Sequence, residues 1–185
     1  HRFKLEGLNQ LRAIIRPLSY MTGFDIKDFF PHVSITPRFR DHFVFRHVFK
    51  DRPNVVRWFR SVGLIMGITD APRTTMRLLR PILAYLRSYN VRLAMFCDDG
   101  LIEDWSAERL VEATQLTIDT LHRLHFLLHP EKCKLRPALQ RQYLGCVVDT
   151  TRPEYVTLRL PTKRLKGIAR ASALVLRRRT GHASS

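Results

Sequence analysis

Phe24-Asp25-Ile26-Lys27-Asp28-Phe29-Phe30-Pro31-His32-Val33 and Phe96-Cys97-Asp98-Asp99 decide how this chain is read. Each sets carboxylates where an apolar strand ends, in a protein with only 16 Asp and Glu against 32 Lys and Arg. Adjacent carboxylates repel one another unless a cation or a donor satisfies them. For either site alone, Asp bonding its own backbone in a turn is an adequate explanation. Two strand-borne acidic sites can also lie side by side in one antiparallel sheet. Asp25 and Asp98 would then present oxygen ligands to hard divalent cations, as Mg²⁺ requires. Two such ions about 4 Å apart can activate an attacking oxygen and stabilise a leaving one in phosphoryl transfer.

Outward from these sites the pattern is α+β, with antiparallel pairing dominant. Residues 5–17 have helical spacing and stop at Arg16-Pro17; Ser19–Ile26 reads as a strand. Asp28–Val33 follows as a turn or short helix. His42–Lys50 and Val55–Ser61 are β-rich runs joined by Asp51-Arg52-Pro53-Asn54, a hairpin signal. Pro72 suits the first turn of a helix running to about Tyr89. Val91–Phe96, the tight turn Cys97–Gly100 and Leu101–Glu103 make a second hairpin. Ser106 is placed to cap a helix that continues to about His125. Tyr143–Val148 and Tyr155–Leu160 suggest a last hairpin around Thr151-Arg152-Pro153, and Lys163–Leu176 starts a basic helix. Phe43, Phe45, Phe49, Trp58 and Phe59 could stack bases, but at strand spacing burial in a core is the expectation.

The 185 residues carry a formal charge of +16, which calls for an acidic partner: nucleic acid or an anionic surface. The cations recur along the chain, a pattern suited to a groove that follows a phosphate backbone. No run approaches the roughly 18 apolar residues of a membrane span. His1-Arg2-Phe3-Lys4 does not open a secretory leader, and Cys97, Cys133 and Cys146 form no disulfide framework. The expected setting is therefore reducing and intracellular, cytoplasmic or nuclear, and the chain is expected to be a fragment of a longer reading frame.

The segment at residues 24–33 resembles motif A of reverse transcriptases, and Phe96-Cys97-Asp98-Asp99 resembles their YxDD box. Between them Met66-Gly67-Ile68-Thr69-Asp70-Ala71-Pro72-Arg73 is similar to motif B. Glu131-Lys132-Cys133 resembles the element after motif D, Tyr143-Leu144-Gly145-Cys146 the primer grip, and Leu158–Leu165 the segment that opens the thumb. The ordered set spans about residues 20–168 and is far more specific than any one match. His1–Leu8 and Arg80–Ser88 look closest to retrotransposons of the tyrosine-recombinase (DIRS-like) group.

The resemblance implies a polymerase palm, an antiparallel sheet backed by helices, with partial fingers over residues 1–160 and the start of a thumb over 161–185. It implies an RNA-directed DNA polymerase that adds deoxynucleotides to a primer 3′-OH on an RNA or DNA template. Asp25, Asp98 and Asp99 would be catalytic, binding two Mg²⁺ ions (Mn²⁺ being the alternative) with help from the Ile26 carbonyl. Asp28, Phe29, Phe30, Gly67 and Lys132 would meet the incoming nucleotide, Phe30 as a gate against a 2′-OH and Lys132 at the phosphates. Tyr143, Leu144, Gly145 and Cys146 would hold the primer end.

Departures from the family pattern are Phe96 for Tyr, Phe29 for Ala, Pro31 for an aromatic, His125 for Gly, and Gly100 for an apolar residue, which is expected to loosen the hairpin. None removes a metal ligand. They motivate a rival reading, a catalytically decayed or repurposed nucleic-acid-binding domain of the same fold. A two-metal nuclease is a further rival, opposed by the motif B and primer-grip segments.

Overall fold

The structure, a computed structural model, describes residues 7–180. The expected first helix is found as α1, Leu8–Ile14; its first expected residues lie outside the described part. The central sheet has the order β4-β5-β1-β6, all antiparallel. Here β1 is Tyr20–Asp25, β4 is Arg92–Phe96, β5 is Asp99–Asp104 and β6 is Lys134–Ala138. Between β1 and β4 come the hairpin β2 (Val44–Phe49) and β3 (Arg52–Arg60), then helix α2 (Ala71–Ser88). Helix α3, Ala107–Arg123, follows β5. A second sheet orders β7 (Gln140–Tyr143), β8 (Cys146–Asp149) and β9 (Thr157–Arg159), and α4 covers Thr162–Thr180.

Strand alternation divides the apolar side chains between two cores. Phe24, Leu93, Met95 and Ile102 join Met76, Leu79, Leu83 and Leu86 of α2 and Leu110 and Leu121 of α3 on one face. Met21, Ala94 and Leu101 face the other way, onto Leu11 of α1 and Tyr143 and Val148 of the second sheet. Helices α2 and α3 thus cover one face and leave the other for a site. Glu103, with no side-chain exposure, sits between Arg16 (Nε–Oε1 2.8 Å) and Arg92 (Nε–Oε2 2.8 Å). Arg92 also donates to the Ile14 carbonyl, fastening α1 to β4.

Both helices end on the same device. After α2 the N–H groups of Asn90 and Val91 return to the carbonyls of Arg87 and Leu86; after α3 those of His125 and Phe126 return to His122 and Leu121. These paired bonds are Schellman caps, and they place Asn90 (φ 61°) and His125 (φ 62°) in the left-handed region. The glycine common in the family at position 125 therefore answers a backbone requirement. His125→Gly is expected to stabilise the fold by about 1 kcal/mol, read as a higher urea midpoint at constant m-value. Ser106 caps α3 as expected, its Oγ accepting from the Arg109 N–H.

Four expectations need correction. The strand expected over Tyr143–Val148 is broken by a turn at Leu144-Gly145, whose φ angles are 48° and 75°. Tyr155–Leu160 contributes only Thr157–Arg159, which pairs antiparallel with β8 across the expected connection around Thr151-Arg152-Pro153, so that hairpin forms with shorter strands. The tight turn after β4 is Cys97-Asp98 alone, so Asp99 and Gly100 belong to β5. The aromatics of β2 and β3 are not core: Phe45, Trp58 and Phe59 are exposed. That hairpin packs ring against ring on itself, Phe45 stacking on Phe59 at 5.8 Å.

Gly100 has a packing role besides. It lies opposite Phe24 in the ladder, and a Cβ there would collide with the Phe24 ring at Cζ. The glycine leaves the space that the ring fills. Gly100→Ala is expected to cost about 1–3 kcal/mol through overpacking, measured by thermal or urea unfolding.

Candidate active site

Antiparallel register sets Asp25, the last residue of β1, directly opposite Asp99, the first of β5. Directly opposed residues of such a pair share one face, and like charges there are destabilising. Asp98 completes the group from the β4–β5 turn. That turn is held against β1 by a bond from the Ile26 N–H to the Asp98 carbonyl (2.8 Å). Cys97, first in the turn, has φ 55°, where primed hairpin turns favour glycine.

Asp99 is more than half buried, and its carboxyl is pushed up to about 6, first by burial and then by the charges of Asp98 and Asp25. The Leu144 N–H, 3.4 Å from Asp99 Oδ2, and the Lys132 ammonium act against that rise. Lys132 Nζ lies 3.2 and 3.3 Å from the two Asp25 oxygens, and its own pKa is held above the ordinary value by that contact. The loop bearing Lys132 is fixed by the His129 N–H bonded to the Asp25 carbonyl and by the Lys132 and Cys133 N–H groups bonded to the His129 carbonyl. Cys133 Sγ accepts from the Asp25 N–H.

Two cavities meet at these acids. One, of about 450 Å³, is lined by Asp25, Ile26, Asp28, Phe29, Phe30, Pro31, Asp98 and Lys132 together with Ile65, Met66 and His129. The other, of about 600 Å³, is lined by Asp25, Asp98, Asp99 and Lys132 and by Tyr143, Leu144 and Gly145, with Lys134 and Arg141 on its wall. The sequence-expected residues thus separate into two groups around a shared acidic ridge. Gly67 stands beside the first cavity in sequence without lining it. Its φ of 97° explains the glycine, since a Cβ there would meet nothing. The Tyr143 ring is buried in the second core, and Cys146 lies across the turn on β8 outside the cavity lining, so the turn Leu144-Gly145 is what the second cavity presents.

Of the residues lining the two cavities, Ile65 and Arg141 were not singled out from the sequence. Arg141 carried a usable signal, being a cation on a strand next to the segment that resembles the primer grip. It reaches across Gly23 to the Met21 carbonyl, which braces β7 against β1.

The donor set suits a hard divalent cation. It is all oxygen, it is crowded, and among the described residues Lys132 is the ammonium bonded to it. No three His, Cys, Asp or Glu side chains among the described residues are gathered closely enough to hold a metal unaided. That is compatible with Mg²⁺, which keeps several waters and completes its shell with substrate phosphates.

An antiparallel sheet with carboxylates at the β1 end and the β4–β5 turn, and helices on its opposite face, defines a nucleic-acid polymerase palm. The chain superposes with a TM-score of 0.70 on foamy viral protease-reverse transcriptase in a complex with double-stranded DNA, at 14% identity, covering 88% of this chain and 25% of that one. A foamy viral complex with an RNA/DNA hybrid gives 0.67 at 14% identity, covering 87% and 20%. In sequence the chain is 28% identical over 148 residues to the Gag-Pol polyprotein of Rous sarcoma virus subgroup B (strain Schmidt-Ruppin), and 28% to that of avian leukosis virus subgroup A (isolate RSA). Each alignment takes in 79% of this chain and 9% of the polyprotein. The profile of the reverse transcriptase (RNA-dependent DNA polymerase) family matches residues 4–148, and the chain belongs to that family.

Proposed function

We propose that this chain is the catalytic palm of an RNA-directed DNA polymerase, adding deoxynucleotides to a primer 3′-OH on an RNA or DNA template and releasing pyrophosphate. The observation that carries this reading is the acidic ridge of Asp25, Asp98 and Asp99 between two cavities. The cavity with Asp28, Phe29 and Phe30 takes the nucleotide, and Phe30, edge-on to Phe29 at 5.2 Å, is placed to crowd a 2′-OH. The cavity floored by the Leu144-Gly145 turn takes the primer end. Asp25 and Asp98 would be the principal ligands of two Mg²⁺ ions, or Mn²⁺, with Asp99 and the Ile26 carbonyl supporting. When bound, such ions supply Lewis-acid activation of the attacking and leaving oxygens. Lys132, now on Asp25, is within reach of both cavities and can hold a proton for the departing pyrophosphate.

Residues 1–160 are read as palm with partial fingers and 161–185 as the start of a thumb. The foamy viral relatives were captured on double-stranded DNA and on an RNA/DNA hybrid; a primed template of either kind fits the basic composition here. The phrases at 1–8 and 80–88 favour an element of the tyrosine-recombinase group, and a recombinase gene beside the parent reading frame would support that assignment. Primer extension tests the central reading. Mg²⁺-dependent extension on a primed template supports it. Binding without extension, unchanged by Asp98→Asn, would replace it with the grip-only alternative.

A further inference from the structure

The Leu144-Gly145 turn is held from both sides. Its Leu144 N–H donates to Asp99 Oδ2 at 3.4 Å. Its Gly145 carbonyl accepts from Arg164 Nη1 at 3.1 Å. Arg164 stands in the first turn of α4, where its own N–H is bonded to the Pro161 carbonyl at 2.8 Å. A Cβ on Gly145 would collide with the Arg164 guanidinium, so the glycine leaves the place the guanidinium fills. A continuous line of bonded groups therefore runs from α4 through the turn to a carboxylate of the acidic ridge.

Leu144 is a branched residue at φ 48°, a conformation that persists only where its surroundings over-determine it. A charge-assisted bond to the next carbonyl is a means of doing so. Resting on the polymerase reading above, we propose that Arg164 is a positioning residue for the primer 3′ terminus. It holds the floor of the primer-side cavity in place and couples the seating of α4 to that of the terminus. Misplacing a reacting group by about 1 Å can cost on the order of 100-fold in rate, so a loosened turn is felt in the chemical step more than in binding.

The test compares wild type, Arg164→Ala, Arg164→Lys and Gly145→Ala in the full chain, with a template–primer carrying 2-aminopurine at the primer 3′ terminus. Arg164→Ala is expected to lower the extension rate at saturating substrates by roughly tenfold to a hundredfold, with nucleotide KM and binding of unprimed template unchanged. The 2-aminopurine signal should report a more mobile terminus. Arg164→Lys, which keeps a donor, should recover part of both readouts. Gly145→Ala should reproduce the loss by displacing the guanidinium. Extension and terminus fluorescence within twofold of wild type in Arg164→Ala would overturn the proposal while leaving the polymerase reading intact. A wild-type chain that neither extends a primer nor distinguishes primed from unprimed template would overturn both.

Discussion

Asp98→Asn is expected to reduce Mg²⁺-dependent primer extension by roughly a thousandfold, the upper range for removing one preorganised charge-stabilising group, while leaving the melting temperature unchanged or higher. The two outcomes share one cause. Asp98 adds its charge to that of Asp25 in raising Asp99, and no hydrogen bond to the carboxylate of Asp98 offsets this repulsion among the side-chain bonds of the described residues. Neutralising it relieves the fold and, on the proposed reading, removes a metal ligand from the site. Steady-state extension and thermal unfolding of the same protein check both halves. A loss of activity accompanied by a comparable loss of stability would assign Asp98 a structural role.

The largest expected effect on stability lies at the other end of β5. Glu103 is fully buried and receives two bonds from Arg16 and one from Arg92. Removing the acid leaves two guanidiniums facing a site built for an anion. Breaking a buried ion pair costs about 3–5 kcal/mol, and the two arginines are partly exposed, so the low end applies. Glu103→Gln is expected to cost about 3 kcal/mol and to lower the melting temperature by about 6–12 °C for a chain of this size. Arg16→Ala should cost less. Arg92 remains on the carboxylate, and the loss is confined to one ion pair and the stacking of Arg16 on Trp105 at 3.5 Å.

The acidic site was legible because its chemistry is local in sequence: two short strings each carry a strand end and its carboxylates. The helices α2 and α3 were legible from apolar periodicity, and even the departure at His125 becomes intelligible once its φ is known. Strand β6 was not legible. Its sequence Lys-Leu-Arg-Pro-Ala has two cations and a proline, and it survives as a strand because it lies at the sheet edge, where Pro137 need not donate to a ladder. The turn at Leu144-Gly145 was hidden because Leu is a poor residue for positive φ, and what stabilises it there comes from Asp99 and Arg164, distant in sequence. Burial of the β2–β3 aromatics was wrongly expected because strand alternation reports which residues share a face, not whether anything covers it.

The order β4-β5-β1-β6 gives both acid-bearing strands a neighbour on each side. Slippage of β1 by one position would turn Asp25 to the helical face, but it would require unzipping two ladders at once. The amides of Thr22–Phe24 and Leu101–Ile102 should therefore be among the slowest in the chain to exchange with deuterium, and those of the solvent-facing β2–β3 hairpin among the fastest. The carboxylates are thus aligned by the frame itself, and on the polymerase reading proposed above whatever adapts to the nucleic acid must be the elements hung around it.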